Sequence, residues 1–179
     1  FAPMGSKYTY QCINTEVLGK VVEAATGEKL ADLLEKQIWG KVGMAENAHY
    51  QADFAGNPVA SGGLNAATKD LARVGRMLMN GGKNYKGEQV VPAEFINKIL
   101  EGNDEVRAAW LKGKESALAE GWYKDQFRVL KTPGRTILAM VGIHGQVVAM
   151  DFDSGTVVAM NGGYPQTETP RMAIAIFYK

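Results

Sequence analysis

Residues 127–160, FRVLKTPGRTILAMVGIHGQVVAMDFDSGTVVAM, decide the fold class. Four β-rich runs stand in this stretch: Phe127 to Lys131, Arg135 to Val141, Gln146 to Phe152 and Thr156 to Met160. Turn formers separate them, at Thr132-Pro133-Gly134, Gly142 to Gly145 and Asp153-Ser154-Gly155. Connections this short join antiparallel neighbours, because a parallel pair needs a long crossover. In the third run Val148, Met150 and Phe152 alternate with Val147, Ala149 and Asp151. Both sets are largely apolar, which predicts a sheet covered on both faces.

Upstream of about Asp104 the pattern is helical. Asn14 reads as an N-cap, and Thr15 to Ala25 then places Val17, Leu18, Val21 and Val22 on one face, with Gly27 as a left-handed stop. Lys29 to Gln37 is a second helix, whose stripe is Leu30, Leu33, Leu34 and Ile38. Gly40 to Ala60 reads as a long surface loop. Ser61-Gly62-Gly63-Leu64-Asn65 turns into a third helix, Ala66 to Met79, which Asn80-Gly81-Gly82 ends. Pro92 opens a short helix to Leu100. Downstream of the sheet, Thr169-Pro170 caps an amphipathic helix through Ile174 and Phe177. The class is therefore α+β.

Bulk properties exclude several functions. A chain of 179 residues, 46% hydrophobic and 22% charged, is long enough for one sizeable core. A net charge of +1 without dense basic blocks gives no case for nucleic acid. No apolar run approaches the roughly 20 residues that span a bilayer. Cys12 is the one cysteine, so no disulfide closes within the chain. His49 and His144 stand far apart without cysteine partners, which argues against a structural zinc, and nothing calls for a metal or other cofactor. The opening Phe1-Ala2-Pro3-Met4-Gly5-Ser6-Lys7 has neither leader nor tag character and reads as mid-domain sequence, with residues expected upstream.

Four local patterns then fall in a meaningful order. Tyr8-Thr9-Tyr10-Gln11-Cys12-Ile13-Asn14 precedes Leu18-Gly19 and the first apolar helix. Ile38-Trp39 leads to Val42-Gly43-Met44, and Gly62-Gly63-Leu64 leads to Asp70-Leu71-Ala72. Last comes Gly142-Ile143-His144-Gly145-Gln146. In this order and spacing the set resembles the β-lactamase and penicillin-binding-protein superfamily of serine hydrolases. It is most similar to class C β-lactamases, related esterases and 6-aminohexanoate-oligomer hydrolases.

That resemblance implies an all-α domain set into an α/β domain whose sheet uses both chain ends. Residues 1–104 would be part of the first, and 105–179 the C-terminal strands and terminal helix of the second. It also implies a bacterial enzyme, exported or periplasmic, that cleaves small amides or esters through an acyl-serine. The family's nucleophile comes from Ser-x-x-Lys, one helical turn holding both groups together. Ser6, Ser61, Ser116 and Ser154 all lack a lysine three positions on. The chain is thus expected to be partial, inactive alone, and dependent on a missing N-terminal segment of the same protein for folding.

By the same resemblance Tyr10 is the catalytic candidate, exchanging protons between serine and leaving group, with Tyr8 as the competing register. A phenol titrates near pH 10, so this role needs a cationic neighbour, which would be the missing lysine. Cys12 stands at the substrate-binding position where the family has an amide-bearing Asn, and a thiol is a poor substitute donor. Cys12 itself reads as a small packed thiol rather than a nucleophile. Met140-Val141-Gly142 stands where β-lactamases have Lys-Thr-Gly, so the cation that grips a substrate carboxylate is absent. Gly142 admits close approach of substrate or marks a bulge, and the Ile143 backbone N–H would be one of two oxyanion-hole donors. His144 lines the pocket mouth or serves the turn structurally. Lys131-Thr132-Pro133-Gly134 is a hairpin connection, and Trp39, Trp110 and Trp122 are core or pocket wall. Two rivals remain: a non-catalytic ligand-binding or sensor module on the same fold, and a structural assembly domain without a pocket.

Overall fold

The computed structural model describes residue 3 and residues 5–165. The helix expected from Thr169 lies outside the described residues. The chain runs α1 (Cys12–Thr26), α2 (Leu30–Leu34), a π-helical turn (Glu35–Trp39) and α3 (Gly40–Val42). Two short strands, β1 (His49–Tyr50) and β2 (Leu64–Asn65), pair antiparallel across the long loop. Three helices follow: α4 (Thr68–Met79), α5 (Ala93–Glu101) and α6 (Asp104–Leu111). A five-stranded antiparallel meander completes the described fold: β3 (Glu120–Lys124), β4 (Phe127–Thr132), β5 (Arg135–Val141), β6 (Val147–Asp151) and β7 (Thr156–Met160).

The meander follows from its turns. Thr132 pairs with Arg135 across Pro133-Gly134, with Gly134 at φ +76°, a left-handed angle that glycine adopts without steric cost. At the other end of β6, Asp151 accepts from the Asp153 and Ser154 N–H groups and from the Ser154 hydroxyl, closing the turn to β7. All five residues of β6 are buried, so the sheet is covered on both faces there. Val129, Ile137, Leu138, Ala139, Ala149 and Met150 form its water-free centre. Helix α4 packs on β6 and β7, and Gly75 makes the approach possible: a methyl there would lie 2.7 Å from Val157 Cγ1. On the β3–β4 side, Trp110 and Trp122 are buried, their indoles donating to the Ala119 and Ile99 carbonyls.

Several expectations need correction. Asn14 is not the cap of α1: the helix begins at Cys12, Gln11 is the cap residue, and no side chain bonds to the first turn. Asn14 lies inside the helix, its N–H donating to the Gln11 carbonyl. Gly27 does end the helix, at φ +71°. The second helix is short and passes through a π-turn rather than continuing regularly to Gln37. Helix continues to Leu111, beyond the change of pattern at Asp104, and β3 is a strand that the four-run reading omits.

The sequence patterns have structural roles as well. Asp70, fully buried on α4, accepts from the Ala45 and Glu46 N–H groups and pairs with Arg73. It thereby ties the segment after Val42-Gly43-Met44 to the Asp70-Leu71-Ala72 helix. Gly63 is required by close approach, since a methyl there would sit 2.6 Å from the Val59 carbonyl oxygen. Glu16 on α1 accepts from the Ala60 and Ser61 N–H groups, at 3.0 and 2.9 Å, and so moors that loop to the helix.

Candidate active site

Between α1, the helical segment at Leu34–Trp39, the loop at Ala60–Leu64 and the end of the sheet at Val141–Val148 lies a cleft of about 420 Å³. Tyr10 and Gly142, far apart in sequence, both line it. Its wall is mostly aliphatic and aromatic, with Ile38, Trp39, Leu64, Val148 and Met160 among the contributors. Polar groups enter from Thr15, Ser61, Gln126, Arg128 and Asn161. A larger groove of about 970 Å³ runs beside α4, with Arg73, Arg76, Lys83 and Lys86 in its wall, and none of the predicted site residues lines it.

Tyr10 sits just before α1, and 44% of it is exposed. Its hydroxyl is held above the ordinary phenol pKa by partial burial first and by the neighbouring Cys12 thiol second, against the lowering influence of Arg128. At neutral pH this chain therefore carries Tyr10 as the neutral phenol, and further positive charge is needed to make the phenolate. Tyr8 is placed differently. Its ring stacks on Trp110 and Tyr123, at 5.3 and 5.0 Å, and its hydroxyl donates to Glu115 Oε1 at 3.0 Å. Tyr10 faces the cleft, whereas Tyr8 supports the wall behind it.

Behind Tyr10 lies a group of residues that the sequence reading missed. Arg128, only 8% exposed and second in β4, forms a two-pronged ion pair with Glu115: Nε to Oε2 at 2.7 Å and Nη2 to Oε1 at 2.9 Å. The guanidinium lies 5.2 Å from the Tyr10 ring centre and 5.5 Å from that of Tyr123. Tyr123, edge-on to Tyr10 at 6.1 Å, has its pKa pushed up to about 12, chiefly by burial. Gln126 Oε1 accepts from the Thr15 and Tyr123 hydroxyls, at 2.9 and 3.0 Å, and so joins α1 to the β3–β4 turn. That turn holds both Asp125 and Gln126 at positive φ, 49° and 68°, without a glycine. Non-glycine residues in this region cost of order 1 kcal/mol each and cluster at functional sites.

Of the other predicted residues, Gly142 lines the cleft, whereas Cys12, Ile143 and His144 lie outside its wall. Cys12 is exposed at the first position of α1, not packed as expected, because α1 buries none of its residues. Gly142 follows β5 with an ordinary φ of −106°, and its N–H donates to the Gln146 carbonyl. A methyl at Gly142 would lie 3.0 Å from Gln146 Cβ, so a cross-strand contact explains the glycine. Ile143 begins the turn into β6, with 60% of it exposed. His144, at φ +58°, has Nδ1 2.8 Å from the Tyr164 carbonyl oxygen, and its own carbonyl accepts from the Tyr164 N–H. This tethers the turn to the segment after β7. Of the tryptophans, only Trp39 reaches the cleft.

Comparisons with known proteins agree with this architecture. The profile of the β-lactamase family matches residues 2–178. A 6-aminohexanoate-dimer hydrolase of Paenarthrobacter ureafaciens is 31% identical over 163 residues, which cover 91% of this chain and 41% of the relative. A solved structure from Bacillus anthracis, provisionally described as a 6-aminohexanoate-dimer hydrolase, superposes with a TM-score of 0.85 at 26% identity. The superposition takes in 99% of this chain and 44% of that one. The chain thus spans less than half the length of either relative.

Proposed function

The chain belongs to the β-lactamase family, and from that membership we propose that it is part of a serine hydrolase cleaving small amides or esters through an acyl-enzyme. The observation that carries the reading is the convergence of Tyr10 and Gly142 on one cleft. A serine from a Ser-x-x-Lys turn, which these 179 residues do not contain, would attack the substrate carbonyl carbon. Its proton would pass to the Tyr10 phenolate, and the resulting oxyanion would rest against the Ile143 N–H and the serine's own N–H. Collapse would expel the amine or alcohol, which takes its proton from Tyr10. Water would then release the acid by the same route and restore the serine.

On this reading residues 1–104 contribute to an all-α domain and 105–179 to the α/β domain, with an N-terminal segment of the same protein supplying the nucleophile. These 179 residues alone are inactive. Cys12 and Met140 replace two polar positions of the β-lactam-cleaving relatives, and the aliphatic wall suits the methylene run of an acyl chain. We therefore favour an ester, a peptide or an aminohexanoate-type amide over a β-lactam.

Kinetics of the intact protein on a p-nitrophenyl ester, 6-aminohexanoate dimer and nitrocefin provide the test. Tyr10→Phe is expected to lower kcat/KM on the preferred substrate by about 10²-fold or more, the usual contribution of a positioned proton carrier. An acyl adduct on a serine should appear by mass spectrometry. Unchanged turnover in Tyr10→Phe, or no acyl-serine with any substrate, would sink the reading and favour a ligand-binding module on the same fold.

A further inference from the structure

We infer that Arg128, clamped by Glu115, is a positioning residue that sets how readily the Tyr10 hydroxyl releases and regains its proton. This deepens the proposed reaction and rests on Tyr10 being its proton carrier.

Burying an ion pair costs several kcal/mol per charge in desolvation, and apolar residues of similar volume often serve stability as well or better. Packing alone therefore gives a weak reason for Arg128 in the sheet wall. Its surroundings give a stronger one. The guanidinium is nearly excluded from water, lies against the Tyr10 ring, and cannot lose its proton at any accessible pH. Two parallel hydrogen bonds to Glu115 fix its plane, Nη1 reaches the Val141 carbonyl at 3.4 Å, and the Tyr8 hydroxyl steadies Glu115 in turn. Every part of the clamp is thus held by a different element: β4, the turn at Lys114–Ala117, the end of β5 and the segment before α1.

The pair is neutral at a distance but not at Tyr10. The guanidinium faces the Tyr10 ring, whereas the carboxylate lies toward Tyr8. Other groups facing Tyr10 are the Cys12 thiol on its own segment and the Tyr123 hydroxyl from β3. Both are acids that gain negative charge on ionising, so neither favours a phenolate. Within these residues Arg128 is the cation that does, and Glu115 limits the effect. The clamp also leaves Arg128 with its two best donors occupied. It therefore acts on Tyr10 rather than as a free hand for a substrate carboxylate.

The two members of the pair must then act on Tyr10 with opposite signs. The intact protein labelled with fluorotyrosine and titrated by 19F NMR, with Tyr10→Phe to assign the resonance, reads this directly. Glu115→Gln, which keeps the shape and removes the negative charge, should move the Tyr10 titration to lower pH. Arg128→Met should move it to higher pH, and Arg128→Lys should restore part of the native value. A purely structural pair would disturb Tyr10 in the same direction in both variants, or not at all, and either result overturns the inference. If Arg128→Met does not fold, Glu115→Gln and Arg128→Lys decide alone: no downward shift in the first refutes the assignment. The readout needs no turnover. Activity that survives Tyr10→Phe would end the proposed reaction without touching this result, and an unmoved Tyr10 titration would do the reverse.

Discussion

The five-stranded sheet and helix α1 are held in place by opposite means. In β6 every residue is buried, and the centre of the sheet is aliphatic without water contact. Helix α1 is longer, at fifteen residues, and buries none of them. Its attachments are polar: Glu16 to the backbone of the Ala60–Ser61 loop, Glu23 to the Leu30 N–H, and Lys20 to Asn57. The difference teaches where the cleft gets its shape. One wall is a rigid end of the sheet, and the wall next to Tyr10 depends on a few side-chain hydrogen bonds.

Substitution at the sheet's centre should be the most damaging. Leu138→Ala opens a cavity between Val129 and Met150, its partners on the flanking strands, and is expected to cost about 2–5 kcal/mol in urea unfolding. A cost near zero would show that the sheet is not the rigid half of the pair.

Asp70 joins the two regimes, since it is buried like the core but works through hydrogen bonds. Burial by itself would raise its pKa. The Ala45 N–H, Arg73 and the Glu46 N–H together outweigh that and hold it below the usual carboxylate value. Asp151 is lowered in the same way, against its burial, by Ser154 and Asp153, with Arg135 nearby. For a depressed carboxylate the stabilisation is complete above the unfolded pKa, about 3.9 for Asp, and is lost as pH falls through the folded value. Asp70→Asn is expected to cost about 1–3 kcal/mol at neutral pH, because one acceptor oxygen becomes a donor facing donors. It should also flatten the loss of stability on acidification below about pH 4. An acid limb as steep as that of the parent would remove Asp70 from this account.

The seam between α4 and the sheet should show a smaller effect. Gly75→Ala gains up to about 1 kcal/mol of helix propensity, while the added methyl must displace the Val157 and Val148 side chains. Overpacking costs about 1–3 kcal/mol, so a net loss of about 1 kcal/mol is expected by thermal unfolding. A stabilised variant would mean that α4 can move off the sheet freely, and the contrast with α1 would soften.

What the sequence disclosed follows the same division. The meander was legible because its signals are local: apolar runs with turn residues between them, and a β6 run apolar on both faces. Strand β3 was not, since Glu120-Gly121-Trp122-Tyr123-Lys124 carries a glycine and two charges that weaken the pattern. The start of α1 was misplaced because Asn14 has the chemistry of a cap, but the helix begins two residues earlier without one. Tyr10 and Gly142 are singled out through resemblance, and both line the cleft. Arg128 and Glu115 were not, because thirteen residues separate them and only the register of β4 against the preceding turn brings them together. Charge at two positions of an otherwise largely apolar strand, Arg128 and Lys131, was the available signal, and it does not reveal a partner.

The smallest effect is expected on α1, where the contrast is most open to challenge. Ile13, Val17, Leu18, Val21 and Val22 are between 40% and 62% exposed. Val17→Ser removes apolar surface that already meets water, so in the 179-residue chain its stability should change by no more than about 0.5 kcal/mol. The proposed reaction requires more sequence than this chain holds, and we propose that this sequence covers the helix face. In the intact protein the same substitution should then cost about 1.5 kcal/mol or more, the scale of a buried valine. Paired urea curves for the chain and the intact protein give the two values. Equal small values would leave α1 a solvent-facing wall held by the polar contacts of Thr15, Glu16, Lys20 and Glu23. A large cost in the chain alone would mean that the face is already covered in solution, and the difference between sheet and helix would be one of partner rather than of principle.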